Sequence, residues 1–179
     1  SPDGLGRATR LARILVEHQV TVVSGLAEGI DTAAHKSAIS HGGRTVAVLG
    51  TPLDRTYPRK NKDLQRRIME EHLAVSQFPP GQPVMKSNFV RRNRTMALIS
   101  NASVIVEAGE SSGSLSQGWE ALRLGRPLFI MEPLVQDPGL KWPRQMLQYG
   151  AQALSEEDLD GLFELLPETF QDSPSALAF

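Results

Sequence analysis

No cysteine occurs in the 179 residues, which excludes disulfides, thiolate metal sites and cysteine nucleophiles and suits a reducing compartment. No apolar run approaches the roughly 20 residues of a membrane helix, and the first residues lack the basic-then-apolar order of a signal peptide. A cytoplasmic protein without membrane contact is expected. The four histidines and scattered acids show no ligand-like spacing, so no metal site is expected. Neither a dinucleotide fingerprint nor a Walker loop occurs, and no cofactor is expected. One further absence is local: from Lys86 to Arg94 there is no acid.

That stretch reads Lys-Ser-Asn-Phe-Val-Arg-Arg-Asn-Arg, with four cations, two amide side chains and one aromatic in nine residues. Its composition suits a polyanion. Arg91, Arg92 and Arg94 are expected in the first turn of a helix that continues through Met96, Leu98 and Ile99. Cations oppose the helix dipole there, whereas an anion is welcomed by the dipole and the free N–H groups. The competing reading is a solvated basic face with Phe89 tucked into the core.

A composition of 40% hydrophobic and 22% charged residues suits a compact globular domain. The net charge of −1 conceals segregation. Residues 55–94 hold ten Lys/Arg against three acids, a balance of +7, whereas residues 153–179 hold seven acids and no base. Such asymmetry points to a nucleic-acid or other polyanion face. The expected organisation is a domain over 1–154 followed by an acidic helix and tail over 155–179.

Leu11, Ile14, Leu15 and His18 recur at helical spacing and predict an opening helix of about a dozen residues. Buried strands are expected at Val20–Val23, Thr45–Leu49, Leu73–Ser76, Ser103–Val106 and Pro127–Met131. Helices are expected between them at Thr32–Ser40 with Asp31 as N-cap, Asp63–Glu71, Arg91–Ser100 and Leu115–Leu124, and later at Lys141–Tyr149 and after Ser155. Alternation of this kind implies an α/β, Rossmann-like three-layer fold with a mostly parallel sheet. Ligands of such sheets sit at the carboxyl ends of the strands.

The loops at those ends are rich in small residues. Ser24-Gly25-Leu26-Ala27-Glu28-Gly29 allows backbone to approach a phosphate before a helix start, or serves only as a tight turn. Gly50-Thr51 closes the second long strand, and Ser112-Gly113-Ser114 offers hydroxyl and backbone donors, unless Ser114 simply caps the next helix. Glu107 and Glu110 lie near this region, so a general acid or base is considered, but no nucleophile accompanies them and no catalytic residue is assigned. His35, among Ala33, Ala34 and Ala38, is expected to be packed and hydrogen-bonded.

Taken together, Val22–Asp31, Ala34-His35, Gly43–Thr51 with Leu53-Asp54 and Tyr57-Pro58, Phe78–Gly81, Asn88-Phe89 with Arg91–Arg94, Val106–Ala108 and Ser112–Leu115 resemble the DNA-processing protein A (DprA, or Smf) family. The resemblance covers about residues 1–131. It implies an extended Rossmann-like domain that binds single-stranded DNA, commonly as a homodimer, and hands it to the recombinase RecA during natural transformation. It also implies that Lys86 and Phe89 belong to a positive pocket, which agrees with cations tracking phosphates and an aromatic stacking a base. The sequence departs from the family in four places. The first strand, ending in Gly-Ser/Thr-Arg, would precede Ser1; Val90 stands where proline is usual; Phe129–Pro133 replaces a run towards Val-Pro-Gly; and Trp142–Arg144 replaces Gly-x-Asn, with no winged helix after it.

The expected nucleic-acid-binding residues are Lys86, Phe89, Arg91, Arg92, Asn93 and Arg94, floored by Ser24, Gly25, Gly29, Gly50, Ser112, Gly113 and Ser114. The alternative is a nucleotide sensor or a hydrolase that cleaves nucleoside monophosphates. Against it, Gln117 falls where such enzymes place their acid, and Glu120 reaches the site only in a shifted register. A third option is an assembly module whose acidic segment Glu156–Asp160 folds back on the Lys86 region.

Overall fold

The computed structural model describes residues 1–166. The chain runs α1 (Pro2–Glu17), β1 (Val22–Ser24), α2 (Ile30–Ser40), β2 (Thr45–Leu49), a 3-10 turn at Arg59–Asn61, α3 (Lys62–Glu71), β3 (Leu73–Ser76), α4 (Lys86–Ile99) and β4 (Ser103–Ile105). It continues with α5 (Ser114–Arg123), β5 (Leu128–Met131), α6 (Glu132–Gln136), α7 (Trp142–Gln148), β6 (Gln152–Leu154) and α8 (Asp160–Phe163).

The strands pair in two three-stranded sheets, β1-β2-β3 and β4-β5-β6. Every pairing is parallel, with Val23 opposite Val46, Ala47 opposite Ala74, Val104 opposite Phe129 and Ile130 opposite Ala153. The central strand β5 is buried at all four positions, Leu128 to Met131, as expected of a parallel strand covered on both faces. Each of these side chains contributes about 1.5–3 kcal/mol through burial. They form one core with Ile105, Ala121, Trp142 and Met146, which Ala8 and Leu11 of α1 complete. One residue further along the same helix, Ala12 packs with Val22 of β1 and Ala38 of α2. Helix α1 therefore joins the two sheets.

Several boundaries differ from expectation, each for a local reason. Helix α1 has sixteen residues because Ser1 caps it, its hydroxyl accepting from the Gly4 N–H at 3.1 Å. The N-cap of α2 is Gly29, at φ 87°, a conformation that favours glycine. Asp31 instead accepts from the Ser24 hydroxyl at 2.8 Å and the Ala27 N–H at 3.0 Å. Gly113 takes the N-cap position of α5, with Ser114 as the first helical residue.

The largest correction concerns α4. It begins at Lys86, with Met85 as an N-cap lacking a side-chain bond, so Arg91, Arg92 and Arg94 lie beyond the first turn. The short helix α6 was not expected. Beyond residue 154 the chain remains in contact with the body, because Leu159 and Leu162 enter the β5 core and Phe163 stacks on His18 with ring centroids 4.1 Å apart. Glu156 pairs with Arg10 of α1 rather than with the Lys86 stretch. The expected tail from 167 onward lies outside the described residues.

Candidate nucleic-acid interface

Helix α4 has two chemically distinct faces. Asn88, Arg92 and Met96 follow one another at intervals of four, which sets them on one side of a helix, and all three are buried. Lys86, Arg91 and Arg94 are exposed.

The buried face is a clamp. The Arg92 guanidinium donates from Nη1 to the Gly25 carbonyl and, at 2.9 Å, to the Val48 carbonyl, while Nε donates to Asn93 Oδ1 at 2.9 Å. Asn93 then donates to the Gly113 carbonyl at 3.1 Å and the Ser116 hydroxyl at 2.8 Å. Two adjacent residues thus hold the loops after β1 and β4, together with the end of β2. Burial pushes the Arg92 pKa down from its usual value, and the Asp31 carboxylate opposes that shift. A Cβ on Gly25 would collide with the Arg92 guanidinium and force it to shift.

Beneath the β1–α2 loop lies His35, fully buried. The Thr45 hydroxyl donates its one proton to the Val22 carbonyl at 2.9 Å, so it accepts from His35 Nδ1–H at 2.7 Å. Nε2 is then the unprotonated nitrogen, and it has no partner among the described residues. Burial lowers the His35 pKa to about 4, with Asp31 and the Ser24 backbone raising it and Arg92 and His72 lowering it further. The packed, hydrogen-bonded histidine expected from the sequence is present.

Above the clamp, Phe89 is half-buried. A Cβ on Gly50 would lie 2.5 Å from its ring, so the absence of a side chain at Gly50 is what admits Phe89 to this position. The Arg92 guanidinium carbon lies 6.0 Å from the Phe89 ring centroid, and Arg91 lies 5.3 Å from that of Phe78. Lys86 and Arg91 have no carboxylate within 4.0 Å among the described residues, whereas Arg94 reaches Glu120 at 3.4 Å. Their field is therefore available to a bound anion.

The β1–α2 loop is turned so that its carbonyls point inward. Gly25 O meets Arg92, and Leu26 O meets Asn61 Nδ2 at 2.9 Å. Leu26 adopts φ 61° while fully buried, a left-handed conformation that costs a non-glycine residue about 1–3 kcal/mol. On the other side of α4, the Ser112 and Ser114 hydroxyls lie 2.8 Å apart at the uncapped start of α5.

The carboxylates considered for chemistry are otherwise engaged. Glu107 accepts from the Ser1 hydroxyl. Glu110 accepts from the Lys141 N–H, and Glu120 sits between Arg94 and Arg123. Among the described residues no group of three or more acids and histidines is arranged to hold a metal ion.

The structure thus brings together Ser24, Gly25, Gly50, Phe89, Arg92, Asn93 and the Gly113 loop, but Arg92 and Asn93 face inward. Sequence reasoning did not single out Tyr57 as a site residue. Its ring centroid lies 5.3 Å from that of Phe89, and the residue is 60% exposed. The available signal was an aromatic seven residues after Gly50 at a strand's carboxyl end.

A family profile described as DNA recombination-mediator protein A matches residues 1–165. The DNA processing protein DprA of Streptococcus pneumoniae is 39% identical over 150 residues, covering 83% of this chain and 53% of that protein. The crystal structure of the S. pneumoniae protein superposes with a TM-score of 0.79 at 37% identity, over 89% of this chain and 56% of that one. A structure of the Helicobacter pylori protein, described for its single-stranded DNA binding mode, superposes with a TM-score of 0.77 at 26% identity, over 92% and 74% of the two chains. The chain spans about half the length of the first of these relatives. With the profile matching nearly its whole length, the chain belongs to the DNA recombination-mediator protein A (DprA/Smf) family.

Proposed function

We propose that this chain binds single-stranded DNA without chemically altering it, and serves DNA processing and recombination. The observation that carries this reading is the outer face of α4. Lys86 and Arg91 are exposed there and free of carboxylate partners among the described residues, and the same helix holds the half-buried Phe89 against Gly50 at the carboxyl end of β2. Lys86, Arg91 and Arg94 track phosphates and Phe89 stacks a base. The loops at Ser24, Gly25, Gly29 and Gly50 and at Ser112–Ser114 form the floor, and Arg92 and Asn93 act by holding those loops in place. Family membership supports a cytoplasmic homodimer that delivers the strand to RecA.

A salt-dependent titration with single-stranded and duplex oligonucleotides of one sequence tests this. Lys86→Ala and Arg91→Ala are each expected to flatten the log K against log salt slope by about 0.7, the loss of one phosphate contact on a single strand. Phe89→Ala is expected to weaken binding by about 1–3 kcal/mol with the slope retained. Unchanged affinity and slope in both cation variants would refute the reading. Release of free base from a nucleoside monophosphate would favour the enzymatic alternative instead.

A further inference from the structure

Tyr57 is an apolar ring kept in water by a loop that does not yield. The Thr51 hydroxyl donates to the Arg55 carbonyl at 2.9 Å, and the Ser76 hydroxyl donates to the Thr51 carbonyl at 2.7 Å. The buried Gln65 amide donates to the carbonyls of Leu53 at 3.1 Å and Arg55 at 3.2 Å. Past the ring, buried Asn61 is bonded to the Leu26 carbonyl at 2.9 Å and the Thr32 hydroxyl at 2.8 Å. Both ends of the segment are thus fixed, yet Tyr57 remains 60% exposed.

Burying the ring in the core would have stabilised the fold by more than exposing it does. The ring is held ready, so little freedom is lost when something lies on it. Its plane is tilted 54° from that of Phe89, so no single flat base lies parallel to both. Arg55 and Arg59, exposed on the same loop, have no carboxylate within 4.0 Å among the described residues.

We infer that Tyr57 is a second base-stacking platform, so that neighbouring bases of a single strand bend across Phe89 and Tyr57 while Arg55 and Arg59 follow the phosphates. This rests on the single-strand reading above. It adds a source of strand selectivity, because bases stacked within a duplex offer no free face to either ring.

The test compares a short oligothymidylate with an abasic oligonucleotide of equal length, titrated against wild type, Tyr57→Ala and Tyr57→Phe. Tyr57→Ala is expected to bind the oligothymidylate about tenfold more weakly, the loss of one stacked base. Its affinity for the abasic strand and its salt slope should match wild type, and Tyr57→Phe should stay within about twofold of wild type because the ring remains. A Tyr57→Ala protein that binds both strands as wild type does, or loses equally on both, overturns the inference while leaving the single-strand reading intact. Failure of wild type to bind either strand removes both.

Discussion

Replacing Arg92 with alanine is expected to destabilise the fold by about 3–5 kcal/mol, because it strands two buried carbonyls and leaves a void where the guanidinium stood. Those carbonyls belong to Gly25 and Val48, so the loss falls on the ends of two neighbouring strands. Urea unfolding measures the destabilisation. Arg92→Lys should recover only part of it, since a single ammonium on a flexible stem does not reproduce a fork that bridges two acceptors. The sharper result concerns binding. At temperatures where the variant is folded, the salt slope for single-stranded DNA should equal that of wild type, because Arg92 donates inward. A stable Arg92→Ala protein whose slope falls by about 0.7 would make Arg92 a phosphate ligand and contradict the clamp.

The second large effect is on acid stability. His35 is neutral in the fold, with burial lowering its pKa to about 4, against about 6.5 in an unfolded chain. Between these values the unfolded state binds the extra proton. Stability is therefore fully present above about pH 6.5 and is lost as pH falls towards 4, by about 3 kcal/mol in total. Urea midpoints at pH 7.5 and 4.5, compared between wild type and His35→Gln, isolate this contribution from that of the surface carboxylates. The histidine account fails if the two proteins lose stability in parallel.

Much of the fold was legible because its signals are local. Thr45–Leu49 and Leu128–Met131 are short apolar runs closed by glycine, proline or a helix start, and buried parallel strands have this appearance. Helix α4 was misplaced for an equally physical reason. Its first turn, Lys86 to Phe89, follows Pro83-Val84-Met85 and has no side-chain cap, so no sequence signal marks where it begins. The four cations together suit one polyanion site. Period counting through the polar residues would have separated them, since Asn88, Arg92 and Met96 share a stripe that Lys86, Arg91 and Arg94 do not. What no pattern supplies is the identity of the acceptors: Gly25 and Val48 lie 67 and 44 residues from Arg92, and their carbonyls are turned inward only by the folded loops. Tyr57 belongs to a motif shared with the family, but its packing on Phe89 follows only from the path of the loop that carries it.

Arg92 and Asn93 are neighbours on one helix, yet they grip loops that belong to different sheets. A rigid helix cannot release one of these without straining its hold on the other. The amides around Gly25 and those around Gly113 are therefore expected to exchange with solvent deuterium through a common opening event, and a strand lying along α4 would slow exchange on both sides of the molecule at once.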